Sequence, residues 1–124
     1  MTTGASELPV EAEDLLEWLA VERGRSPRTI EVYRRELRRY TDHLAGRRLD
    51  EVVEDDLLAY VAALEATGLA PSTVARAVVV ARALHRFAAT EGAAPTDPSA
   101  LVPLPRVPAG VPKALDEATV ARLL

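Results

Sequence analysis

A chain of 124 residues, 48% hydrophobic and 27% charged, is one domain's worth of polypeptide, enough to bury a core and too short for most two-domain enzymes. It has no cysteine, which removes disulfides, thiolate zinc sites and cysteine nucleophiles together and fits a reducing compartment. No run approaches the ~18 apolar residues of a membrane span, the N-terminus is acidic without a signal-peptide core, and a net charge of −4 taken alone argues against a nucleic-acid partner. A soluble cytoplasmic protein with no membrane partner is the resulting expectation.

Hydrophobic spacing along the chain predicts helices throughout. Ala12, Leu15, Leu16, Leu19 and Ala20 recur at i, i+3, i+4, i+7, i+8, with Glu11, Glu13, Asp14 and Glu17 on the other face, and Gly24 ends this first helix. Ser26 and Pro27 restart the chain as an N-cap and a proline at the first helical position. Ile30, Tyr33, Leu37, Tyr40 and Leu44 then form one apolar stripe, while Arg28, Arg34, Arg35, Arg38 and Arg39 fan from its edge to the opposite side, and the helix ends near Gly46. A third helix at 55–67 turns Leu57, Leu58, Val61 and Leu64 inward and stops at Gly68. The fourth, at 72–91, is apolar almost all round, which predicts a largely buried helix with Arg82 and Arg86 on a narrow exposed strip. Six of the nine prolines fall between Pro95 and Pro112, which predicts a stiff, extended connector.

Two features emerge from this order. The first is a repeat: Asp14-Leu15-Leu16-Glu17-Trp18 aligns with Asp56-Leu57-Leu58-Ala59-Tyr60, and Gly24 to Ile30 aligns with Gly68 to Val74. Each copy reads as an acidic helix, a glycine turn, a proline-led start and an arginine-bearing helix, so a pseudo-symmetric four-helix unit of two hairpins is expected. The second is the distribution of charge: residues 1–22 carry −6, 23–48 carry +6, 49–71 carry −6, 72–91 carry +2 and 92–124 carry 0. If the hairpins are related by a pseudo-twofold, both arginine helices lie on one side of the bundle and the acidic helices on the other. A protein of net −4 can then show DNA a cationic face. The same residues also fit a solvated helix surface with ordinary i,i+4 pairs.

The remaining polar residues carry no catalytic pattern. Tyr33 and Tyr40 lie on the apolar stripe and read as core residues, with Trp18 and Tyr60 as helix-packing aromatics. His43 reads as a surface residue and His85 as buried. Ser26 and Thr29 fit a cap and first turn as well as a phosphate contact, and Asp55 and Asp56 fit a helix start better than a catalytic dyad. No glycine-rich phosphate loop, Ser/His/Asp set or metal cluster appears, so no cofactor, metal or small-molecule ligand is expected.

The run from Glu22 to Leu37, Glu-Arg-Gly-Arg-Ser-Pro-Arg-Thr-Ile-Glu-Val-Tyr-Arg-Arg-Glu-Leu, resembles the signature of the N-terminal core-binding domain of tyrosine recombinases, those of the XerC/XerD type most of all. Ser72 to Arg76, Val80 to Ala88 and Glu91-Gly92 are similar to that domain's last long helix, with His85-Arg86-Phe87-Ala88 closer to XerD. Asp97-Pro98 and Pro112 to Leu115 resemble the passage into the catalytic domain. The resemblance implies an all-α, four- to five-helix SAM-like orthogonal bundle that forms half of a clamp on double-stranded DNA, with the second and fourth helices toward the major groove. Carried over position by position, it implies DNA contact by Arg25, Ser26, Arg28, Thr29, Arg34 and Arg35 on the second helix, by Ser72, Thr73, Arg76 and Arg82 on the fourth, and by Lys113 in the linker. Ala77 stands where relatives often carry a second basic residue, which implies weaker contact by the fourth helix.

The implied organisation is a flexible N-terminus at 1–9, the helical DNA-binding domain at 10–92, a proline-rich linker at 93–114, and the start of a catalytic domain at 115–124. The family's cleaving tyrosine and its arginines, lysine and histidines belong to that later domain, so no catalytic residue is assigned here and the fragment is not expected to recombine DNA alone. The parent would be a recombinase acting at a core site for chromosome dimer resolution, with sister subunits as partners in a tetramer. A phage or transposon integrase is the alternative within the family. A helical protein-interaction module with Trp18 and Tyr60 on its working surface is the alternative outside it.

Overall fold

The computed structural model describes residues 8–103, and these form an all-α fold of four helices: α1 Val10–Val21, α2 Pro27–Leu44, α3 Glu54–Ala66 and α4 Pro71–Thr90. The expectations for residues 1–7, for 104–114 with Lys113, and for 115–124 lie outside the described residues.

Local chemistry sets the helix ends. In α2 the Ser26 side chain accepts the Thr29 N–H at 3.2 Å, satisfying one of the orphan donors of the first turn, and Pro27 follows at the first helical position. Between α1 and α2, Gly24 takes a left-handed conformation at φ 62 and lets the Arg25 N–H donate to the Leu19 carbonyl at 2.9 Å. Asp56 accepts the Val53 N–H at 2.9 Å at the start of α3, the helix-start role expected of it. A short 3-10 turn at Leu49–Glu51, not anticipated from the sequence, buries Leu49 between α2 and α3.

Packing makes α4 the axis of the fold. It touches α1, α2 and α3, whereas α2 packs chiefly on α1 and α4. The two hairpins pack unequally: α4 lies closer to α1 than α2 does to α3, which α2 meets through Tyr40 and His43 on Tyr60. The reason is composition: eleven residues of α4 are buried, including Val74, Val78, Val80, Leu84 and Ala88, and each large aliphatic side chain removed from water contributes about 1.5–3 kcal/mol. The matching face of α2 is a single stripe, with Tyr33, Leu37, Tyr40 and Leu44 buried.

Directly after α4 the chain differs from the extended connector expected of it. Residues 98–101 form turns closed by Ala100 N–H to Asp97 O at 3.3 Å and Val102 N–H to Ser99 O at 3.1 Å, and Ala94 and Val102 join the core cluster. Asp97 accepts both the N–H and the hydroxyl of Ser99, at 2.9 and 2.5 Å. Pro95 and Pro98 therefore lie in a folded corner, where their fixed φ suits a turn.

Candidate nucleic-acid interface

Ion pairs sort the arginines into two groups. Arg34 reaches from α2 to α1 and holds Glu13 through both terminal nitrogens, at 2.8 and 3.2 Å. Arg47 bridges the α2–α3 connection to Asp56 at 2.5 Å, Arg48 pairs with Asp50 at 2.7 Å, and Arg39 lies 3.3 Å from Glu36. Arg47, together with the Val53 N–H, holds the Asp56 carboxyl below its ordinary range. By contrast Arg28, Arg35, Arg38 and Arg76 are exposed and form no ion pair among the described residues. Charge alternation along the chain is thus partly cancelled across helix contacts, and the cationic surface is narrower than its total of arginines suggests.

The acidic helices are not confined to a far side. α1 packs directly on α2 and places Glu13 against Arg34, and the first turn of α3 supplies Asp56 to Arg47. The segregation expected from the charge count is replaced by acidic edges that clasp particular arginines.

Around the start of α2 the structure brings several of the expected contact residues together. Arg25, Arg28 and Arg34, with Glu31, Ala20, Pro27 and Ile30, line an open depression of about 770 Å³ between the end of α1 and the first turns of α2. Arg35 projects from the outer side of α2, about 20° from Arg28 in helical projection. Ser26 and Thr29 sit at the rim as the cap pair, the Ser26 hydroxyl donating to Thr29 Oγ1 at 3.1 Å. Tyr33 lies beneath this surface, buried, and burial pushes its phenol up to about 12 against the pull of Arg25. It is a neutral core residue, as its place on the stripe implied.

On α4, Arg76 is exposed, while Ser72, Thr73 and Arg82 are half-buried. The start of α4 has no side-chain cap, which leaves the Ser72 N–H pointing forward with no carbonyl of the preceding turn to meet. Ala77 is fully buried, so the departure there removes nothing from the exposed strip. The α4 residues do not line the depression at α2; the two sets are joined only through the direct packing of the helices. Arg86 falls elsewhere, in a groove of about 360 Å³ with Trp18, Arg23 and Phe87 between α1 and α4.

The structure also removes residues from consideration. Tyr60 is 2% exposed and stacks on Tyr40 at 4.8 Å and on His43 at 5.0 Å, so it cannot share a working surface with Trp18. Tyr40 is buried and its hydroxyl shares a hydrogen bond of 2.5 Å with Nε2 of buried His85. Two acids of structural weight escaped the sequence reading, Glu13 and the buried Glu36. Glu36 has a weak signal, an acid on the flank of an apolar stripe three residues before Arg39. Glu13 has none, because its partner lies 21 residues away.

The description "Phage integrase, N-terminal SAM-like domain" matches residues 12–92, from the first core residue of α1 to the turn after α4. The chain belongs to the N-terminal SAM-like domains of XerC/XerD-type tyrosine recombinases. The tyrosine recombinase XerD of Mycobacterium tuberculosis is 35% identical over 127 residues, covering 94% of this chain and 41% of that protein. XerC of Roseiflexus castenholzii is 36% identical over 117 residues, covering 92% of the chain and 37% of the relative. XerD of Mycobacterium leprae is 33% identical over 134 residues, covering 100% and 42%. The chain spans about two fifths of the length of these relatives, and identities this close do not separate a XerD from a XerC lineage. No solved structure matches it with significance. The part of the family present here is the SAM-like domain and not a catalytic one. Among the described residues no helix is long and apolar enough to cross a membrane.

Proposed function

We propose that this SAM-like domain holds duplex DNA as one half of a clamp, and that the recombinase of which it is part acts at a recombination core site in the cytoplasm, at the nucleoid, resolving chromosome dimers at cell division. Its partners are double-stranded DNA and sister subunits in a tetrameric synapse. In this reading residues 10–92 are the DNA-binding unit, the proline-rich segment leads to the catalytic domain, and Lys113 contacts DNA along the way.

The observation that carries the reading is the set of uncompensated arginines. Arg28, Arg35 and Arg76 are exposed with no carboxylate partner among the described residues, on the two helices whose starts carry Ser26, Thr29, Ser72 and Thr73. Arg25, Arg28 and Arg34 line an open concave surface of about 770 Å³ that a phosphate backbone can reach. Guanidinium groups, hydroxyls and free N–H groups at helix starts are the donors that phosphate contacts use. Such contacts fix a protein on the duplex without reading its bases, so sequence-tolerant binding with a steep salt dependence is expected.

Fluorescence anisotropy of a labelled duplex titrated with the 124-residue chain tests the proposal. Binding should weaken with a slope of about −0.9 in log K against log salt for each phosphate contacted. Arg28→Glu with Arg35→Glu should abolish it, while Arg48→Glu, at the 3-10 turn beyond the C-terminal end of α2, should leave it nearly intact. Binding that is absent at low salt, or indifferent to the first pair, overturns the proposal.

A further inference from the structure

The Arg34–Glu13 pair bears on how the depression at α2 meets an anion. The fork of Arg34 is already filled by two carboxylate oxygens, at 2.8 and 3.2 Å, in the bidentate manner in which a guanidinium takes two oxygens of a phosphate. The pair joins two helices, yet it is not sealed: the side chains are 34% and 47% exposed, so an incoming anion meets it from solvent. Arg34 lines the same concave surface as Arg25 and Arg28. A carboxylate clasped on one wall of a cationic depression is a built-in competitor for the ligand that the depression takes.

We propose that Glu13 is a competitor built into the DNA-binding surface: it occupies on Arg34 the place of a backbone phosphate and yields it only when the domain is fully seated on a duplex. The inference rests on the DNA-binding reading above. An exposed ion pair is weak enough to be exchanged. The exchange nevertheless changes the ion balance. An unclasped Arg34 that reaches a phosphate releases about 0.9 counterion. While Glu13 holds it, Arg34 neutralises no phosphate and contributes none of this release. Arg34 therefore adds little to loose, purely electrostatic association. It contributes where the other contacts hold the phosphate against it.

The test compares the wild-type chain, Glu13→Gln, Arg34→Gln and the double variant on a random-sequence duplex, by anisotropy between about 50 and 200 mM salt. Asp14→Asn is the control for overall charge, since Asp14 is exposed on the same helix and in no ion pair among the described residues. Glu13→Gln should bind about two- to five-fold tighter than Asp14→Asn at low salt, the range set by an exposed pair, with a salt slope steeper by about 0.9. In the Arg34→Gln background, Glu13→Gln should add nothing beyond the Asp14→Asn effect. Circular-dichroism melts check the fold of each variant, and Glu13→Ala gives a second removal of the carboxylate. Equal affinity and slope for Glu13→Gln and Asp14→Asn overturn the inference and leave DNA binding standing, as does a Glu13 effect that survives loss of Arg34. Failure of every variant to bind overturns the DNA-binding reading and this one with it.

Discussion

Acid should weaken this fold well above the pH at which carboxylates titrate, and His85 is the reason. The side chain is 1% exposed, and burial lowers its pKa from 6.5 to about 4, outweighing the pull of the Asp97 carboxylate. The neutral ring is favoured in the folded state, where it shares a hydrogen bond with Tyr40. In the unfolded chain the ring takes a proton near pH 6.5, so between that value and about 4 the unfolded state binds more protons and stability falls as pH falls. Integrating the two titrations from pH 7 to pH 5 gives a loss of about 2 kcal/mol, or on the order of 10 °C in Tm for a domain of this size. Asp56, held below the ordinary carboxylate range by Arg47, titrates beneath this window and does not contribute to the loss. The assay is thermal or urea unfolding of the wild-type chain and of His85→Leu at a series of pH values. His85→Leu strands the Tyr40 hydroxyl and should be less stable at pH 7 by about 1–3 kcal/mol, yet lose much less on going to pH 5. The double variant Tyr40→Phe/His85→Leu removes the stranded hydroxyl and should be equally flat. A wild-type curve that is level between pH 7 and 5, or a His85→Leu curve parallel to it, refutes the reasoning.

Two further outcomes follow from the fold. Ser26→Ala removes the cap that receives the Thr29 N–H and should cost about 1 kcal/mol, measured as a lower urea midpoint with an unchanged m-value. A chain ended at Gly92 loses Ala94, Ser99 and Val102 from the packed surface and should be less stable than one ended at Pro103 by about 2 kcal/mol, the burial of one valine-sized side chain; equal melting temperatures would show that the corner at 93–103 adds nothing.

The four helices were legible in the sequence because their causes are local. Apolar spacing in α1 and α2, Ser26-Pro27 at the start of α2 and the glycines after each helix are neighbours of what they determine, and each observed end falls within two residues of its expected place. The burial of α4 was legible too, since a helix apolar on nearly every side has no other use in water. Arginines 28 and 35 could be placed on the outer face of α2 from the 3.6-residue period alone.

Whether an arginine is available to an anion was not legible, because that depends on which acids the tertiary fold brings within 4 Å. Arg34 and Arg35 are adjacent in sequence and equal in composition. One is clasped by Glu13 across a helix contact and the other has no ion-pair partner among the described residues, since a rotation of 100° turns the first toward α1 and the second to solvent. The corner at Asp97–Val102 is the same lesson in apolar form: proline content forbids a helix there, but only the exposed edge of the core decides that Val102 folds back to cover it. By itself the sequence determined the helices, their caps and the arginine-rich helix; long-range packing decided which charges survive as a surface.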